Sequence, residues 1–137
     1  MTRMLGVLAL VLALATASIA GEPVSQTFSA APEKVWSVTQ SVLKQQGWEI
    51  EKQDQANGWI NTESRSVNGE DYGVYAKGAR HRLVIRLKAA GANRTTVSVE
   101  RTLFHRERIL WIDKDEVLST NDQTVEKNML AAIGAAL

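Results

Sequence analysis

At Gly47 the apolar residues of this chain stop recurring every three to four positions and begin to alternate, and no other feature limits the fold as much. Before the glycine, Val35, Val38 and Val42, flanked by Trp36 and Leu43, trace one stripe of a helix whose other side carries Lys34, Gln40, Lys44 and Gln45. Ser29-Ala30-Ala31-Pro32 reads as its start, with proline in the first turn, Glu33 at the positive end and Gly47 as the stop. After the glycine, Trp48, Ile50 and Lys52 alternate with Glu49, Glu51 and Gln53. A polar turn from Asp54 to Gly58 then leads into Trp59-Ile60-Asn61-Thr62-Glu63-Ser64, which predicts a hairpin.

The rest of the chain extends this plan. Val24 to Phe28 is a short strand ahead of the helix. Arg82 to Lys88 places Leu83, Ile85 and Leu87 on one face and Arg82, Arg86 and Lys88 on the other, around Val84. A glycine-containing turn from Ala90 to Asn93 joins it to Thr95 to His105, where Val97, Val99 and Leu103 oppose Thr96, Ser98, Glu100 and Thr102, so a second hairpin is expected. Val67 to Ala79 holds three glycines and two tyrosines without sustained period and reads as a long loop. From Arg106 to Ser119 a cluster of apolar residues precedes a cluster of charges, which reads as a short strand followed by a loop. Thr120 with Gln123 resembles a capping box, and Val125, Met129, Ala132, Ile133 and Ala136 form the stripe of a closing helix. The expected class is α+β: an antiparallel sheet of about four to six strands with two helices packed on one face.

The first twenty residues belong to a different regime. Arg3 gives a positive start, Leu5 to Ala15 is an unbroken apolar run, and Ser18-Ile19-Ala20 supplies the small residues that a signal peptidase reads, so residues 1–20 are expected to be a signal peptide cleaved before Gly21. The alternative is a membrane anchor, but the run is short for a span and no basic stop-transfer cluster follows. The remaining residues, 21–137, suit a single domain with one core. There is no cysteine, which excludes disulfides, thiolate zinc sites and lipid attachment at a cysteine after the leader. A soluble periplasmic location is expected, with no stable membrane span after cleavage. Without Arg3, 15 basic residues balance 15 acidic ones, and bulk charge predicts no nucleic-acid partner.

Chemistry-bearing motifs are few. His81 and His105 lie near predicted strand ends outside any metal-ligand spacing, and are expected to be satisfied by backbone or water. Asp113, Asp115 and Glu116, with Asp122 beyond, lack the glycine and terminal glutamate of a calcium loop and read as a solvated charged loop. Nucleophile elbow, phosphate-cradling loop and dinucleotide fingerprint are all missing from the sequence, so no enzyme activity, cofactor or metal is expected. Charge is uneven: nine basic residues lie between Lys77 and Arg108, with only Glu100 and Glu107 as acids. Arg82, Arg86 and Lys88, with Arg101 nearby, would form a cationic patch for acidic proteins, anionic lipid or lipopolysaccharide phosphates; the plainer reading is a solvated sheet face. Four tryptophans add a second theme. Trp36 and Trp48 sit in periods that predict burial, one of Trp59 and Ile60 should face outward, and Trp111 is expected under a loop. The candidate partner-binding residues are therefore Trp59, Tyr72, Tyr75, Arg82, Arg86, Lys88, Arg101 and Trp111.

The run Phe28-Ser29-Ala30-Ala31-Pro32-Glu33-Lys34-Val35-Trp36, followed by Val42-Leu43, Gly47-Trp48-Glu49-Ile50, Asp54 and Gly58-Trp59-Ile60-Asn61-Thr62-Glu63, resembles small bacterial envelope proteins with a domain like that of the outer-membrane assembly lipoprotein BamC. Arg82-Leu83-Val84-Ile85 and Thr95-Thr96-Val97-Ser98-Val99 also fit, over roughly residues 24–104. The resemblance implies a helix-grip-like domain and a non-enzymatic, accessory role in the envelope, linked to outer-membrane protein assembly, with an envelope protein as partner. It departs at Gly21, which stands where such lipoproteins carry a lipidated cysteine. Ala31-Pro32-Glu33-Lys34-Val35-Trp36 is also similar to the first-helix entry of lipid-binding START-type domains, which would imply a carrier of an apolar small molecule between helix and sheet. An enclosed apolar cavity would favour the carrier; a filled core with exposed aromatics would favour the binding module.

Overall fold

The computed structural model describes residues 22–137, so the expected signal peptide lies outside the described residues. In chain order the elements are β1 (Val24–Phe28), α1 (Pro32–Gln45), β2 (Ile50–Asp54), β3 (Trp59–Thr62), β4 (Arg65–Ser66), β5 (Glu70–Asp71), β6 (Ala76–Gly91), β7 (Arg94–Ile109), β8 (Ile112–Leu118) and α2 (Thr124–Ala136). Every strand pairing is antiparallel. The class is α+β as expected, with eight strands in place of four to six.

The helix α1 forms where the period predicts it. Pro32 occupies its first turn and Glu33 lies at its positive end. Gly47, at φ 82°, closes it: the Gly47 N–H donates to the Lys44 carbonyl and the Trp48 N–H to the Leu43 carbonyl. This is the Schellman pattern, and the residue pair that should touch across it, Leu43 and Trp48, is buried in one cluster. The stop signal thus also delivers Trp48 to the core.

The sheet is built on two long rails. β6 and β7 are 16 residues each and pair along their whole length, from Ala76 opposite Arg108 to Gly91 opposite Arg94. At about 3.3 Å per residue each spans roughly 50 Å, far longer than an ordinary strand. Short strands flank the rails: β1 and then β8 beside β7, and β3, β4 and β5 in turn beside β6, with β2 outside β3. Only one half is covered by helices. Ile60, Leu83, Ile85, Val97 and Val99, which the registers place on one face, pack with Val35, Trp36, Val42 and Leu43 of α1 and Met129, Leu130 and Ile133 of α2. Burying each of these side chains contributes roughly 1.5–3 kcal/mol.

The other half, residues 76–82 and 102–118 with β5, projects beyond the helices as an arm; it and the entry to α2 correct three expectations. Val67 to Ala79 is not a long loop: β5 turns at Tyr72 to Tyr75 into β6, whose first four residues, Ala76 to Ala79, lie within it. Its glycines serve close approach, since a Cβ on Gly69 would collide with the Lys77 carbonyl and one on Gly78 with the Asn68 carbonyl. Arg106 to Ser119 is not a short strand with a charged loop: β7 continues to Ile109 and β8 returns, with Asp113, Asp115 and Glu116 inside it. Thr120 and Gln123 form no capping box. Asp122 accepts the Thr124 N–H at 2.9 Å instead, and Thr120 Oγ1 accepts the Asp122 N–H at 3.0 Å.

Candidate functional site

A buried polar seam marks where the arm leaves the body. Arg101, on the helix-facing side of β7, is 5% exposed and reaches Glu126 in the first turn of α2, which is 1% exposed. Its Nε lies 3.4 Å from Glu126 Oε1, an ion pair too poorly aligned for a hydrogen bond. Its other nitrogens reach His81 Nδ1 at 3.1 Å and the Asp122 carbonyl at 3.4 Å. Arginine has no lone pair to offer, so Nδ1 accepts and His81 is neutral. Burial first, then the Arg101, Arg65 and Arg80 charges, push its pKa from 6.5 down to about 4. The His81 ring packs on Trp48 at 4.9 Å, the Arg65 guanidinium lies over the Trp48 ring at 3.7 Å, and Arg65 Nη1 donates to the Gln46 carbonyl at 2.7 Å. The seam therefore ties the end of α1, the sheet and the start of α2 together.

Two expectations fail here. Arg101 does not join a cationic surface, because its residue parity puts it under α2. His81 lies within β6, buried against Arg101 and not satisfied at a strand end. His81 faces an arginine and not a carboxylate, so the seam lacks the arrangement of a general base with its orienting acid. Among the described residues, no group of three or more His, Asp or Glu side chains gathers to hold a metal ion.

The helix-free face of the sheet does bring Arg82, Arg86 and Lys88 together, all exposed, with half-buried Trp59 directly opposite Arg86. As expected, Ile60 turns inward beside it. Trp59, Arg86, Lys88, Thr96 and Ser98 line an open surface pocket of about 380 Å³. The basic excess is smaller than the sequence suggests: Arg86 lies 3.7 Å from Glu100, and Arg106 and Arg108 are held by the acids of β8. Phe104, which periodicity does not single out, is 2% exposed on this same face, with the Arg82 and Arg106 guanidiniums at 5.3 and 5.4 Å from its ring.

The end of the arm gathers the aromatic candidates. Tyr72 and Tyr75 flank one turn, Trp111 sits in the other, and the Trp111 N–H donates to the Val74 carbonyl at 3.2 Å while its ring lies alongside Gly73. Trp111 is 71% exposed, not covered by a loop, and Ile109, Leu110, Ile112, Tyr72 and Tyr75 are exposed around it. The turn is a two-residue hairpin between Ile109 and Ile112, with φ 52° at Leu110 and 69° at Trp111. Both central residues of such a turn need positive φ, which asparagine and glycine supply; leucine and tryptophan adopt it at roughly 1–2 kcal/mol each. Behind it, Arg106 donates to both Asp115 oxygens at 2.8 and 3.0 Å. Arg108 donates to Asp113 at 2.6 Å, to Asp71 at 3.2 Å and to the Gly73 carbonyl at 3.2 Å. Arg106 holds the Asp115 carboxyl below its ordinary range, and the Gly73 N–H, with Arg108 second, does the same for Asp71.

Of the eight candidate residues, Trp59, Arg82, Arg86 and Lys88 share the helix-free face, Tyr72, Tyr75 and Trp111 share the arm end, and Arg101 belongs to neither. Leu110, Phe104 and Glu126 were missed. One signal was available for the turn: Arg106 with Asp115 and Arg108 with Asp113 are placed symmetrically about the Leu110–Trp111 peptide bond, the pattern of a two-residue hairpin.

No helix among the described residues is long and apolar enough to cross a membrane. A search of curated proteins finds no match. The N-terminal domain of BamC-like outer membrane protein assembly factors matches residues 15–137, which takes in every element described above. The chain belongs to the BamC-like N-terminal domain family.

Proposed function

We propose that this protein is a non-enzymatic, periplasmic binding module of the cell envelope, accessory to outer-membrane protein assembly, that works through the outer surfaces of its sheet. The observation that carries this reading is the division of its apolar residues. Those of α1, α2 and the covered half of the sheet fill one core, and a surface pocket of about 800 Å³ between α1 and Trp48 to Ile50 is open to solvent. The remaining large apolar side chains are displayed on an arm where no core needs them. A carrier of apolar cargo requires the opposite distribution, a lined hollow between helix and sheet.

The family supplies the context, an outer-membrane assembly factor, and the arm with the Trp59–Arg86–Lys88 face supplies the contact surfaces. A photocrosslinking residue at Tyr75 or Arg86, compared with one at exposed Lys44 on α1, tests this in the native host. Crosslinks to outer-membrane assembly components from Tyr75 or Arg86, and none from Lys44, are expected. Crosslinks only from Lys44, or a bound lipid co-purifying with the wild-type protein in stoichiometric amount, would overturn it.

A further inference from the structure

We infer that the end of the arm is a membrane-seating tip, which places Leu110, Trp111, Ile109 and Ile112 in the interfacial zone of a lipid bilayer. The inference deepens the envelope reading and rests on it only for the presence of a membrane within reach.

Three observations carry it. The first is composition: aliphatic side chains occupy the outermost turn, and tryptophan and two tyrosines stand with them, the residue types that settle at the boundary between headgroups and acyl chains. The second is charge. A protein pocket of defined shape is usually recognised with complementary charges at its rim, but here the charges near the tip are internally matched. Arg106 is paired with Asp113 and Asp115, and Arg108 with Asp113 and Asp71. On the other face Glu107 lies in register between Lys77 and Lys114. The third is the backbone. A turn whose sole task was to reverse the chain would carry asparagine and glycine, yet Leu110 and Trp111 hold positive φ and leave their apolar side chains 61% and 71% exposed. The turn keeps residues that burden the free protein and reward it only in a nonaqueous setting.

The substitution pair Leu110→Asn with Trp111→Gly separates the two roles, because it supplies the preferred turn while removing the apolar tip. The full chain is mixed with neutral phosphatidylcholine vesicles whose acyl chains carry bromine near the headgroup, which quenches tryptophan only on contact. Trp36 and Trp48 are buried and Trp59 is half-buried on the body, so quenching reports on Trp111. Expected are clear quenching in the wild-type protein, co-sedimentation of the wild type with the same vesicles that is lost in the variant, and an unfolding temperature for the variant at or above that of wild type. Raising salt from 0.05 to 0.5 M should change wild-type quenching by less than about twofold, since no net charge is invoked. Absence of quenching in the wild type, equal co-sedimentation of the variant with the vesicles, or binding that needs anionic lipid and vanishes in salt would each overturn the inference. If wild-type quenching is absent while Tyr75 still crosslinks to assembly proteins, the arm end is a protein contact, and the broader reading survives without this one.

Discussion

The two halves of the sheet share the same long strands but are stabilised by different physics. In the covered half, β6 and β7 present Leu83, Ile85, Val97 and Val99 to two helices, and stability comes from apolar surface withdrawn from water. In the arm the same strands present Arg106 and Arg108 to Asp113, Asp115 and Asp71, and stability comes from the backbone ladder and half-exposed ion pairs. Exposed pairs of this kind contribute only about 0–1 kcal/mol each. The difference teaches that strand length and domain core are decoupled here: the ladder continues for several residues after the reason for burial has ended. An arm held by weak, internally matched charge can keep its apolar residues for an external surface.

The largest effects should therefore come from the covered half. Leu83→Ala removes a fully buried side chain from the core under the helices and should lower global stability by about 4 kcal/mol in denaturant titrations. Val117→Ala, in the exposed edge strand of the arm, should lower it by less than about 1 kcal/mol. Comparable losses at the two sites would mean that the arm is as integral to the core as the body is.

The seam between the halves comes next. Glu126→Ala leaves the Arg101 guanidinium buried without its counter-charge and should cost about 3 kcal/mol, whereas Glu126→Leu combined with Arg101→Met should recover most of that loss. Failure of the double variant to recover would show that the pair fixes α2 in place by more than mutual neutralisation. His81 gives the seam a pH dependence. Its folded pKa, about 4, lies below the unfolded value of 6.5, so between these pH values the unfolded chain binds a proton that the folded one does not. The contribution is complete above about pH 6.5 and drains away as pH falls toward 4, by at most ~3 kcal/mol. His81→Gln should flatten the stability profile across that window; an unchanged slope would assign it to other groups.

Most of the covered half was legible because each of its elements obeys a single period. Val35, Val38 and Val42 mark α1, and Leu83, Ile85 and Leu87 mark the middle of β6. The same rule found the cationic trio Arg82, Arg86 and Lys88, whose parity places them opposite the core. Arg101 was misplaced because it follows Val97 and Val99 in parity but carries a charge, and only the arrival of Glu126 from α2 makes that burial tolerable. Nothing local announces such a partner 25 positions away. The arm was illegible for a related reason: apart from Phe104 its strands bury no apolar stripe and need no alternation, and the Leu110–Trp111 turn lacks the residues that normally mark a hairpin.

The smallest effect expected is also the one that separates the halves most cleanly. Asp115 is held below its ordinary pKa chiefly by its hydrogen bond to Arg106, so its contribution is present above the unfolded value near 3.8 and is lost as pH falls through the lower folded value. Asp71 behaves alike under the Gly73 N–H and Arg108. This window lies below that of His81, so acid should act on the seam first and on the arm's charge pairs afterwards. Hydrogen exchange resolved by segment should then show amides of residues 103–109 and 112–118 losing extra protection, relative to β3 and α1, only below about pH 4. Asp115→Asn should reproduce part of that loss at neutral pH, by less than about 1 kcal/mol because the pair is partly solvated. If arm and body instead lose protection together at every pH, the two halves form one cooperative unit, and the arm is held by the core after all.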